Sequence, residues 1–142
     1  MNRKFTREEA IKILYSMDIA NVYDIKVVQD YLDHFANENS DDLKFKIEDI
    51  DMDYLNKTIL DIINNLETID KKIEDNSKTW RLNRIAKIDL SILRVALAEI
   101  LYNELIPNAT SINEAVKISK RYSADESYKF INGILGSVCR SL

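Results

Sequence analysis

The sequence predicts an all-α fold, and three observations carry that expectation. Glycine and proline are scarce: the 142 residues hold two glycines, Gly133 and Gly136, and one proline, Pro107. Sheet proteins need such residues in their turns, so a chain this poor in them reads as helical. Apolar residues recur three and four apart along most of the chain, the period of a helix with one buried face. Serine or threonine followed three residues later by glutamate marks helix starts at Thr6–Glu9, Ser111–Glu114 and Ser123–Glu126. In such a pair the hydroxyl takes a backbone N–H and the carboxylate reaches back.

The first helix is expected from Arg7 to Ile19, with Ala10, Leu14 and Met17 on one face. Asp24 caps a second, which carries Val27, Val28, Tyr31, Leu32 and Phe35. The polar, acidic stretch from Asn37 to Asp51 reads as a loop. Met52, Leu55, Ile59, Ile62, Leu66, Ile69 and Ile73 form an unbroken heptad stripe, so one long third helix is expected there. Asp75, Asn76 and Ser77 break the pattern, Trp80 opens a new segment as a core plug, and Leu82 to Ile85 form a short turn. Asp89 then starts a strong helix with Ile92, Leu93, Ala96, Leu97, Ile100 and Leu101 facing inward, ended by Asn103 to Asn108. Two more helices follow, over Ser111–Tyr122 and Ser123–Val138. The organisation expected is a helical subdomain over residues 1–78 and another over 79–142, together one compact unit.

Composition removes several function classes. One histidine, His34, leaves no Ser-His-Asp, Cys-His or multi-histidine metal scheme with its full set of parts. Two glycines near the C-terminus make no phosphate-cradling loop. The lone Cys139 forms no internal disulfide, which fits a reducing cytoplasm. No apolar run reaches the roughly 18 residues of a membrane span. No catalytic residue, cofactor or metal is therefore expected, and the chain reads as a non-enzyme.

Charge points to a binding role. The net charge is −4, but residues 1–78 hold 11 Lys+Arg against 18 Asp+Glu, and residues 79–142 hold 9 against 6. Balances of −7 and +3 leave a polyanion one favourable half. Arg3, Lys4, Arg7 and Lys12 make a basic entry to the first helix. Lys117, Lys120, Arg121 and Lys129 crowd the last two, interleaved with Tyr122, Tyr128 and Phe130. Cations that neutralise phosphates beside rings that stack on unpaired bases are what single-stranded RNA recognition requires. The competing reading makes the rings core and the lysines a solvated face. Tyr128 and Phe130, two residues apart on a helix, cannot both face inward, so one is expected outside.

These residues fall into recognisable runs. Arg7, Glu8, Ala10, Leu14 and Tyr15 form the first, and Trp80–Ile85 leading to Asp89 and Ile92–Ala96 the second. Pro107 with Ile112–Val116 is the third, and Lys120, Tyr122, Ser123, Ser127 and Lys129–Leu135 the last. In order and spacing, over nearly the whole chain, they resemble the NusB transcription antitermination family.

The resemblance implies seven helices in two packed bundles. It implies an RNA-binding antitermination factor that pairs with the ribosomal protein NusE on boxA-type single-stranded RNA of ribosomal RNA leaders, within the RNA polymerase antitermination complex. It places Arg3, Lys4 and Arg7 in a basic RNA-contacting segment and Glu126, Lys129 and Phe130 in a second, with Phe130 as the stacking ring. Lys120 and Tyr122 join that second region. Tyr15 and Asp89 fall where the family meets NusE. The N-terminal segment is poorer in arginine than is common in the family. Gly133, inside a helix, is expected to be compensated by close helix contact. Apolar residues awaiting NusE could support a homodimer of the free protein. Two alternatives stand beside this reading: a protein-only helical scaffold, and a module related to the RNA-binding part of ribosomal RNA cytosine methyltransferases.

Overall fold

The computed structural model describes residues 1–37, 47–78 and 81–142. Helix α1 (Arg3–Ala20) starts four residues before the expected Arg7 because Asn2, not Thr6, caps it. The Asn2 side chain accepts from the Phe5 N–H at 2.9 Å. Thr6 lies one turn inside and is fully buried. Its hydroxyl donates to the Asn2 carbonyl and accepts from the Asp51 N–H at 2.9 Å, so it ties two helix starts together instead of beginning one. At the far end Asn21 takes the left-handed conformation, φ 53° and ψ 43°, that closes a helix.

Helix α2 (Lys26–Asn37) follows Asp24, whose carboxylate accepts from the Lys26 N–H at 2.9 Å, as its capping role requires. Most of the acidic stretch expected to be a loop lies outside the described residues. Its end forms a 3-10 turn, Ile47–Asp49, and Asp51 caps helix α3 (Met52–Asn64) by accepting from the Tyr54 N–H.

The expected single third helix is two, α3 and α4 (Leu66–Asp75), parted at Asn65. A continuing helix would give the Asp61 carbonyl the Asn65 backbone N–H. Here the Asn65 side-chain amide takes that carbonyl at 2.8 Å, and its backbone N–H turns to Ile62. Asparagine is prone to this competition with its own backbone. The stripe survives the break: Leu55, Ile59, Ile62, Ile69 and Ile73 are all fully buried, while Met52 is exposed at one end.

Trp80 lies outside the described residues. A 3-10 turn, Leu82–Arg84, leads to α5 (Lys87–Tyr102), which begins two residues before Asp89. Every residue from Asp89 to Glu99 is buried. A helix buried all round occupies the middle of a bundle, and α5 packs against α1, α3, α4, α6 (Asn108–Tyr122) and α7 (Ser127–Arg140). One apolar cluster runs from Ala10 and Leu14 through Leu93 and Leu97 to Ile131 and Leu135, so both expected halves share it.

The other two expected capping pairs are also differently used. Pro107 precedes α6, and Ser111 sits buried one turn inside. Ser123 closes α6 and α7 starts only after Glu126. Gly133 is exposed, and a Cβ there would meet nothing within 4 Å, so close packing is not its compensation.

Burying α5 on all sides forces its polar residues to find partners. Arg94 makes a two-pronged pair with Asp70, both bonds at 2.8 Å, and reaches Asp18 and the Tyr23 hydroxyl. Burial pushes the Asp18 carboxyl up. Hydrogen bonds from Tyr23 and Lys87 and the Arg94 charge outweigh that and hold it below its ordinary value.

Candidate nucleic-acid interface

The residues expected to contact RNA divide into those the fold exposes and those it uses internally. Arg7 is the main correction. It is 4% exposed, and its guanidinium grips Glu99 with two bonds, at 2.7 and 3.0 Å. Tyr54 and Ser111 donate to the same carboxylate, so four helices meet on Glu99. Starting α1 at Arg3 sets Arg7 on its inner face, beside Thr6 and Ala10. The charge expected for phosphate is spent on the core, and burial with an acidic hydrogen-bonded neighbour pushes the Tyr54 hydroxyl well up.

Arg3 and Lys4 are exposed but point to different neighbours. Arg3 lies 3.1 Å from Asp51 and stacks over the Tyr54 ring. Lys4 faces α6, where Glu114 lies 3.9 Å away and also approaches Lys117 at 3.7 Å. Four residues on, Glu8 pairs with Arg121 and accepts from the Tyr122 hydroxyl at 3.2 Å. The outer face of α1 and the last turns of α6 thus form one charged seam.

Beyond the seam, α6 and α7 bring the remaining residues together. The Lys120 ammonium sits 4.7 Å from the Tyr128 ring centre, and Lys129 approaches the same ring at 6.0 Å. Lys129 also pairs with Glu126 at 2.7 Å. Lys120, Tyr122, Glu126 and Lys129 are all exposed. Tyr128 and Phe130 are both half-buried, so neither is the free outward ring expected. They leave α7 in different directions: Tyr128 lies beneath Lys120, and Phe130 packs on the edge of the core.

Phe130 lines two shallow hollows. One, of about 350 Å³, has Lys78, Lys129 and Arg140 on its walls and the bare backbone of Gly133 at its side. The other, of about 280 Å³, is bounded by Arg84, Asp89, Glu126 and Ser127. Asp89 is 6% exposed, deeper than a residue expected to meet a partner, because α5 starts early and turns it inward. Its Oδ1 has no hydrogen-bond partner among the described residues. Tyr15 stands on the outer face of α1 at 40% exposure, with Ile19 one turn on at 56% and Val22 beyond it at 49%.

Sequence reasoning gave Glu8 no binding role and did not single out Tyr128 as a platform for two lysines. The second was within reach, since Lys129 adjoins it and Lys120 lies eight residues before it. The first was not, because it depends on how α1 lies against α6. Among the described residues no group of His, Cys, Asp and Glu is arranged to hold a metal ion, and no helix is long and apolar enough to cross a membrane.

A NusB family model matches residues 4–140. The chain belongs to the NusB family. It is 42% identical over 141 residues to the transcription antitermination protein NusB of Clostridium novyi, covering 99% of this chain and all of that one. It is 44% identical over 136 residues to the protein of the same name from Alkaliphilus oremlandii, covering 96% and 91%. Among solved structures, T. maritima NusB superposes with a TM-score of 0.79 at 30% identity, over 99% of this chain and 92% of that one. A chain from a crystal structure of antitermination factors NusB and NusE in complex with dsRNA also gives 0.79, over 99% and 97%; at 21% identity it speaks for the NusB fold alone.

Proposed function

We propose that this NusB-family protein is a non-catalytic RNA-binding antitermination factor, acting with NusE on boxA-type single-stranded RNA of ribosomal RNA leaders. The observation that carries this is the face where Lys120 on α6 and Lys129 on α7 flank the Tyr128 ring, with Tyr122 exposed on the last turn of α6. It supplies phosphate-neutralising cations beside aromatic surface. Lys4, Lys120 and Lys129 take the backbone phosphates, with Arg3 at the outer edge. Phe130, between two hollows, is the ring against which a splayed base lies, and Glu126 accepts from a base edge. Arg7 serves from beneath, by fixing α1 against α5 and α6.

NusE takes the neighbouring surface. Tyr15 and Ile19 on α1, with Val22 just past its end, leave an apolar strip whose cover would be a protein partner. Asp89 lies beneath the hollow it shares with Ser127 and shapes that surface from below. The same strip would pair two free chains when NusE is absent. The antitermination names of the curated relatives support a role in the cytoplasmic RNA polymerase complex.

The mechanism involves no bond chemistry. Two modest surfaces, one for RNA and one for protein, act together so that holding either partner raises the effective concentration of the other. Titration of labelled boxA-type RNA should show tighter binding with NusE present, by about tenfold or more. An affinity unchanged by NusE would count against this coupling, and no measurable RNA binding in either arm would favour the protein-only scaffold.

A further inference from the structure

We propose that Arg121 and the Tyr122 hydroxyl form a phosphate-binding pair which Glu8 occupies in the free protein, so that Glu8 is an internal competitor of RNA. The inference rests on the RNA-binding reading above and assigns a site within that face.

Arg121 and Tyr122 are consecutive, yet both turn to the same carboxylate across the α1–α6 seam. A guanidinium and a phenolic O–H converging on one anion have the donor set that a phosphodiester oxygen pair takes. The three groups differ in exposure. The Arg121 side chain is 59% exposed and Tyr122 46%, whereas the Glu8 side chain is 17% exposed. The cation and the ring therefore present themselves to solvent while the carboxylate sits behind them. An incoming strand meets the donors first. The Arg121 guanidinium also lies 5.8 Å from the Tyr122 ring centre, so the pair is held together as one unit.

The surroundings favour an anion. Lys4 lies one turn before Glu8 on α1, and Lys117 one turn before Arg121 on α6. Both share the single carboxylate of Glu114. Across the seam, Lys4, Lys117 and Arg121 face Glu8 and Glu114, three cations against two anions. A phosphate that displaces Glu8 therefore enters a site with net positive charge before it arrives. While Glu8 holds Arg121, the phosphate contact forms in only part of the bound population, so the counterion release it gives is incomplete.

The test is a double-mutant cycle with the boxA-type single-stranded RNA, read as affinity against salt, for wild type, Glu8→Gln, Arg121→Ala and the double variant. Glu8→Gln is expected to bind about two- to fivefold more tightly, the range of one exposed ion pair. Its salt dependence should steepen by about 0.7, the value of one single-strand phosphate contact. Arg121→Ala should abolish both gains in the double variant. A gain that survives without Arg121 would reduce Glu8 to a general charge effect and overturn the proposal, as would unchanged or weaker binding by Glu8→Gln. Thermal unfolding of each variant identifies loss of fold, and Glu8→Asp, which keeps the charge, should restore wild-type behaviour. Absence of RNA binding by the wild type would instead sink the RNA-binding reading itself.

Discussion

Arg7 and Lys129 show how differently two cations of the same expected role are used. Removing Arg7 leaves the Glu99 carboxylate buried without its cation, a loss of about 3–5 kcal/mol. Lys129 is exposed and pairs with the exposed Glu126, so its removal costs about 0.5 kcal/mol or less. Urea unfolding of Arg7→Ala and Lys129→Ala should therefore show a large fall in midpoint for the first and almost none for the second. Nothing local in the sequence marks this difference. The partner of Arg7 lies 92 residues away, and a basic residue in a basic segment reads as surface until α1 is docked. Asp18 gives a pH prediction at the same scale. Its carboxyl is held below the ordinary 3.8, so its contribution is fully present above that value and is lost as pH falls through the lowered one. Between pH 5 and pH 2.5 the wild type should lose more stability than Asp18→Asn, measured by urea unfolding at each pH. Parallel losses in the two proteins would remove Asp18 from the account.

Among the elements, the helices were legible and several of their starts were not. Apolar spacing located α1, α2, the stretch of α3 and α4, and α5 because burial on one face imposes it. The capping pairs misled because serine and threonine hydroxyls serve equally well inside a helix when a neighbouring element needs them, as Thr6 and Ser111 do. The stripe from Met52 to Ile73 concealed the break at Asn65, since packing preserves the period across the kink. Asn21 offers a clean test of helix-end chemistry. Its left-handed backbone costs asparagine little and glycine nothing, but a β-branched residue about 1–2 kcal/mol. Asn21→Gly should keep or slightly raise the melting temperature and Asn21→Val should lower it. Equal melting temperatures would show that the α1 terminus carries no such constraint.

At the scale of the molecule, one helix organises the rest. Because α5 is buried all round, its three buried charged residues, Asp89, Arg94 and Glu99, anchor to or face other elements, and the outer helices are free to carry charge. The proximity of α6 and α7 was readable, since only four residues join them, and so were Lys120, Glu126 and Lys129 as neighbours. The approach of α1 to α6 was not, because no sequence pattern sets which outer helices touch across α5. The RNA reading depends on the exposed cations of α6 and α7 acting together, and salt dependence of RNA affinity measures that directly. Replacing both Lys120 and Lys129 with alanine should weaken boxA-type RNA binding and flatten the logarithmic salt dependence by about 1.4, two single-strand phosphate contacts, with the melting temperature unchanged. A variant that folds normally and keeps the wild-type slope would contradict the account.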